Sequence, residues 1–163
     1  MAIVAGGGEM PLRVAAACRA TGRPFVVVLL EGFANPAQWA GERTMVFRLG
    51  AAGAAFDWLK ASGARQLVLV GNVKRPSLLS LRPDAKGAKY LARIGMKAFG
   101  GDDSLLSALR QVMREEGFEP VGPTRFLHEA QSPPGLLTRA APDARALADI
   151  RRGVEVVRAV GAK

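Results

Sequence analysis

Short aliphatic runs alternating with longer stretches of helical period constrain this chain more than any other feature. Residues 2–5, 25–30, 44–49 and 66–70 are brief and mostly β-branched or aliphatic, the pattern of strands covered on both faces. Residues 10–20, 51–62, 84–99 and 104–116 carry helical spacing between and after them. Alternation of this kind marks βαβ units, so the expected class is α/β, a Rossmann-like open, mostly parallel sheet with helices on both faces. Pro11 falls in the first turn of the first helix, where a missing N–H costs nothing, and Gly63 ends the second. Residues 118–121 are expected to add a short fifth strand.

The remaining chain is less periodic. Residues 71–83 are expected to form a loop, and residues 122–142 an extended connector or edge segment. Two parts follow: residues 1–142 as a phosphate- or substrate-binding domain, and residues 143–163 as a terminal helix. Leu147, Ile150, Val154 and Val157 share one stripe of that helix, with Arg151, Arg152 and Arg158 elsewhere. A stripe of this kind needs something to pack against.

Composition removes several function classes. A single cysteine, Cys18, cannot build a disulfide framework or a thiolate metal cluster within one chain, which fits a reducing cytoplasm. The start of the chain lacks the parts of a signal peptide, and no apolar stretch approaches the ~20 residues needed to cross a bilayer. The expectation is a protein that is neither exported nor membrane-spanning. The net charge of +9 is concentrated in residues 64–100, with 8 basic and 1 acidic side chain. Such a local field attracts an anionic partner, be it phosphate, nucleic acid or an acidic membrane. Trp39 and Trp58, with few other aromatics, make no stacking platform for single-stranded nucleic acid, so no nucleic-acid partner is expected.

Three turns and one helix could carry chemistry. Gly6-Gly7-Gly8-Glu9-Met10-Pro11 joins the first strand to the first helix, where backbone N–H groups and a helix N-terminus can hold an anionic oxygen. As a dinucleotide fingerprint it is imperfect, since Pro11 stands where the third glycine belongs; an ordinary tight turn is the plain alternative. Gly71-Asn72-Val73-Lys74-Arg75-Pro76 follows the fourth strand. With strand order 3-2-1-4, these two turns flank the crevice where open α/β sheets bind ligands. Lys74 offers a mobile point charge and Arg75 a planar fork, or both are merely solvated. In Gly100-Gly101-Asp102-Asp103-Ser104, adjacent aspartates could cap a helix, hold a divalent cation or position a water. Arg82, Lys86, Lys89, Arg93 and Lys97 share a helix face that is either solvated or rests on anionic lipid. His128, beside Glu129, has no nucleophile motif near it and is read as structural or exposed.

Taken in order, Ile3-Val4-Ala5-Gly6-Gly7-Gly8 with Pro11, Gly22-Arg23-Pro24, Leu30-Glu31-Gly32-Phe33-Ala34, Gly71-Asn72-Val73-Lys74-Arg75-Pro76, Arg82-Pro83-Asp84, Gly101-Asp102-Asp103 and Glu116-Gly117-Phe118 resemble the LpxI family. The resemblance runs from end to end and implies hydrolysis of UDP-2,3-diacylglucosamine to UMP and 2,3-diacylglucosamine 1-phosphate, a step of lipid A synthesis. It further implies a divalent cation, Mg2+ or Mn2+, with ligands unknown. A cytoplasmic location peripheral to the inner membrane is expected, as is a carboxy-terminal domain, absent here, that supplies a catalytic aspartate. This chain alone is not expected to complete the reaction. Lys74 and Asp102 are the expected catalytic residues. Gly7, Gly8, Glu9, Leu12, Asn72, Val73, Arg75 and Asp103 are the expected substrate-binding set. A non-catalytic nucleotide-binding module is the alternative.

Overall fold

The computed structural model describes the backbone of residues 1–74, 82–97, 102–127 and 135–161, with side chains except at 93–97 and 102–105. It comprises two compact units, Met1–Ala130 and Gln131–Lys163.

The first unit is built on β1 (Ala2–Ala5), β2 (Val26–Leu30), β3 (Thr44–Phe47), β4 (Gln66–Val70) and β5 (Glu119–Val121), in the order β3-β2-β1-β4-β5. Every pairing is parallel. The expected 3-2-1-4 order is therefore present, extended by the short fifth strand. Helices α1 (Met10–Ala20), α2 (Ala52–Ala61), α3 (Ala85–Lys97) and α4 (Asp102–Glu115) connect the strands.

Side-chain alternation along the central strands divides the core into two layers. Ala2, Val26, Val28 and Leu67 face Phe56 and Leu59 of α2 and Val112 and Met113 of α4. Ile3, Ala5, Val27, Leu29 and Val68 face Val14, Ala15 and Cys18 of α1, joined by Trp39 and Leu127. Helices on both faces are thus a consequence of central strands that are apolar at every position but Gln66. Each fully buried aliphatic contributes roughly 1.5–3 kcal/mol. Phe56 stacks on Phe118 at 5.7 Å and meets Tyr90 edge-on at 5.8 Å, closing the first layer.

Several ends differ from the periodicity by a residue or two. The third strand stops at Phe47 because Arg48 accepts from Ala51 N at 2.9 Å, which turns the chain into α2. Helix α4 begins at Asp102, so Asp102 and Asp103 occupy its first turn and do not precede it. It ends at a left-handed Gly117 (φ 90°), with Phe118 N donating to Met113 O at 2.9 Å. Within the expected connector, Pro123–Arg125 forms a 3-10 turn; residues 128–134, His128 and Glu129 among them, lie outside the described residues. The second unit contains helix α5 (Ala144–Gly161), which buries none of its residues.

Candidate functional site

The first strand and the fourth are neighbours, so the chain leaves both at the same edge of the sheet, and their exits are stitched together. Gly6 N donates to Val70 O at 2.9 Å, Gly7 N to Asn72 O at 2.9 Å, and Asn72 N returns to Gly7 O at 2.8 Å. Gly7 and Asn72 thereby form an antiparallel bridge across the mouth. Glycine is required for this approach. A Cβ on Gly6 would stand 2.7 Å from Asn72 O, and one on Gly71, whose φ is +104°, would stand 2.8 Å from both Gly6 C and Gly7 O. The turn after β2 forms a third wall, bringing Phe33 O within 3.0 Å of a Cβ placed on Gly7.

This stitching decides which amides stay unpaired. The Gly7 N–H is spent on Asn72, so it does not face the crevice, although the glycine run suggests it as a phosphate donor. Among the described residues, the N–H groups of Gly8, Glu9, Met10 and Leu12 have no backbone acceptor, as the first turn of a helix dictates, and Pro11 has none to offer. Gly8, at φ +87°, turns the chain into α1. The first hydrogen bond of the helix runs from Arg13 N to Glu9 O at 3.1 Å. The unpaired donors lie at the positive end of an 11-residue helix, a place chemically suited to an anion.

Around that place the side chains divide by chemistry. Asn72 Nδ2 lies 3.4 Å from the Cβ position of Gly8, placing the carboxamide beside the turn. Val73 and Met10 are 42% and 37% exposed, and Leu12 is half-buried against the core layer on the α1 side. Lys74 is exposed at the end of the described segment. Glu9 is exposed at the N-cap position of α1, and its carboxylate makes no capping hydrogen bond. Arg75 lies outside the described residues, and of Asp102 and Asp103 only the backbone is described. Since α4 runs back to the start of β5, its first residue lies toward the same edge of the sheet as the two turns. The structure thus brings Gly8, Glu9, Leu12, Asn72, Val73 and Lys74 to one mouth.

A second junction lies at the same edge and was not evident in the sequence. The Asp84 carboxylate accepts from Gly53 N at 3.3 Å and Ala54 N at 3.0 Å in the first turn of α2, and from Gly87 N at 2.6 Å in the first turn of α3. Burial pulls its pKa upward, but the backbone donors of Ala54, Gly87 and Gly53, helped by Lys86, outweigh that and hold it below the usual aspartate value. Gly50, Gly53 and Gly87 make room, since a Cβ on Gly50 would lie 2.8 Å from Arg82 O. The only sequence signal is an aspartate before a helical run; its partner helix lies some thirty residues away. Within the basic face of α3, Lys86 is paired to Asp57 at 2.8 Å, which leaves less free charge there than the spacing suggests.

The sequence model of the LpxI N-terminal domain matches residues 1–130, the extent of the first compact unit. The chain is 35% identical over 163 residues to the UDP-2,3-diacylglucosamine pyrophosphatase LpxI of Caulobacter vibrioides. That match covers 99% of this chain and 57% of the relative, so the chain spans little more than half the length of that protein. With residues 1–130 matched as a domain and nearly every residue aligned to one member, the chain belongs to the LpxI family.

Proposed function

We propose that this chain is the amino-terminal half of a UDP-2,3-diacylglucosamine pyrophosphatase, which hydrolyses its substrate to 2,3-diacylglucosamine 1-phosphate and UMP in lipid A biosynthesis. The observation that carries the reading is the run of unpaired Gly8, Glu9, Met10 and Leu12 amides, a seat for an anion, at the mouth of a domain matched to that family. A relative bearing that activity in its name aligns with 99% of the chain.

In this reading the diphosphate rests against the free amides, with the Asn72 carboxamide beside it and Lys74 opposite. Fixed N–H dipoles and a lysine cation stabilise the charge that grows on the bridging and terminal oxygens as water attacks. In the same reading Arg75 contributes a planar guanidinium fork to the diphosphate, and Asp102 or Asp103, in the first turn of α4, assists the cation. The exposed Glu9 carboxylate repels a bare diphosphate and orders its orientation, or shares a cation with it. Met10 and Val73 give the glycolipid an apolar rim.

Among the described residues no three His, Cys, Asp or Glu side chains come together. In this reading the divalent cation, Mg2+ or Mn2+, draws part of its ligand set from outside the described residues. The remaining ligands and a catalytic aspartate belong to a carboxy-terminal domain, as part of the same chain or a separate one. None of the described helices is long and apolar enough to cross a membrane. The proposed workplace is the cytoplasmic face of the inner membrane, with basic residues of α3 near anionic head groups, each contributing about 1 kcal/mol at most.

The test is UMP release from UDP-2,3-diacylglucosamine by this chain joined to the unmatched part of the Caulobacter relative. Release that falls on Lys74→Ala and on Asp102→Ala supports the reading. Nucleotide binding with no release would favour the non-catalytic module, and activity unchanged by both substitutions would remove these roles.

A further inference from the structure

At the edge of the sheet opposite the stitched turns, where the strands begin, a cavity of about 200 Å³ is lined by Ala17, Thr21, Arg23, Arg125 and Phe126. These residues come from the end of α1, the turn that follows it and the 3-10 turn after β5. The length of β4, ~13 Å at about 3.3 Å per residue, separates this edge from the mouth. Neither arginine belongs to the site built by the two turns.

Both guanidiniums are held in place. Arg23 lies over the Phe126 ring at 5.4 Å and donates from Nη1 to Gln66 Oε1 at 3.5 Å. Gln66 extends the link, donating from Nε2 to Glu119 Oε2 at 2.8 Å, and the other Glu119 oxygen stands 4.0 Å from Arg125 Nη1. One carboxylate thus serves two arginines, and among the described residues neither fork is closed by a bidentate partner. A fork fixed in advance loses less freedom when a ligand arrives. The last carbonyls of α1, which repel anions, are covered: Ala17 O accepts from Thr21 N and Thr21 Oγ1, Cys18 O from Arg23 N, and Arg19 O from Gly22 N.

Charge, shape and size define the ligand. Two guanidiniums and one carboxylate leave a net positive charge that suits a single phosphate group and disfavours a diphosphate. Two forks can share a tetrahedral anion, whose oxygens point in several directions, whereas a planar carboxylate offers both its oxygens to one fork. At about 200 Å³ the cavity falls below the ~300–1,000 Å³ of pockets for drug-sized ligands, so it takes a small ester and not a whole nucleotide. We infer that this cavity is a second anion site, which binds a small phosphomonoester between Arg23 and Arg125, with its carbon skeleton against Ala17 and Phe126. The site stands apart from the proposed reaction and does not depend on it.

Titration of the isotopically labelled 163-residue chain with glycerol 1-phosphate, inorganic phosphate and acetate, followed by amide resonances, tests the inference. The ester should shift Thr21, Arg23, Arg125 and Phe126 saturably, with inorganic phosphate bound less tightly and acetate weaker on the order of tenfold. Arg23→Gln and Arg125→Gln should each weaken binding there by about tenfold, while shifts at Gly8 and Glu9 stay as in the wild type. Glu119→Gln should tighten binding by removing the one opposing carboxylate, a change of sign that a damaged fold does not produce. Shifts that rise without saturating, equal affinity for acetate or for inorganic phosphate, or affinity untouched by both arginine substitutions would overturn the inference. So would shifts confined to Gly8, Glu9, Met10 and Leu12.

Discussion

Replacing Gly71 by alanine should damage this protein far more than replacing Gly63, although both glycines have positive φ, at +104° and +75°. An L-residue in the left-handed region costs roughly 1–2 kcal/mol, which both variants incur. At Gly63 a new methyl meets nothing within 4 Å, so the cost stops there, offset in part by about 0.4–1 kcal/mol of lost unfolded-state freedom. At Gly71 the same methyl stands 2.8 Å from Gly6 C, 2.8 Å from Gly7 O and 2.9 Å from Pro11 Cγ. Two of these are backbone atoms of the opposite turn, held by hydrogen bonds, and cannot yield without opening the mouth. Forced overpacking of this kind adds roughly 1–3 kcal/mol. The Gly71→Ala variant should therefore melt on the order of 2–12 °C below Gly63→Ala, at about 2–4 °C per kcal/mol for a chain of this size. Thermal unfolding followed by circular dichroism checks it. Equal midpoints for the two variants would refute the close stitching of the turns.

Three further outcomes follow from particular contacts. Asp84→Ala removes the acceptor shared by the first turns of α2 and α3 and should cost about 1–3 kcal/mol; because the folded pKa is lowered, the wild-type advantage should be full above pH ~4 and fade as the pH falls through that lowered value, as acid-unfolding curves of the pair would record. Tyr90, the single tyrosine, is raised by burial and by its hydrogen bond to Glu116 to about 12, so ultraviolet titration should show ionisation near there, and the stability linked to it should be full below pH ~10 and lost as the pH rises toward about 12. Calorimetry with pyrophosphate should show weaker binding to Lys74→Ala, on the order of tenfold, and tighter binding to Glu9→Gln, since a carboxylate at the α1 N-terminus opposes an incoming anion.

Much of the architecture was legible because the four main strands are apolar at every position but Thr44 and Gln66, which favours a sheet covered on both faces. The α1 boundaries matched the periodicity because Pro11 and the glycine run mark its start plainly. What the sequence did not reveal is where hydrogen bonds between distant turns go. The glycine run suggests every amide as a donor to phosphate, yet the bridge to Asn72 consumes that of Gly7, and the seat shifts onward to Leu12. Similarly, in the sequence Asp84 only opens a helical run, while two of its three donors belong to α2. The even spacing of basic residues on α3 gives no hint that Asp57 of α2 neutralises Lys86. Such pairings depend on tertiary approach, which periodicity does not encode.

An anion seated at the start of α1, beside the two stitched turns, is what the proposed reaction requires first. Titrating the isotopically labelled 163-residue chain with pyrophosphate and following its amide resonances tests this most directly. Saturable shifts should be largest at Gly8, Glu9, Met10 and Leu12, with Asn72 and Lys74 following and Gly7 moving least of the glycine run. Shifts centred on the basic residues of α3 while the α1 amides stay still would contradict the account.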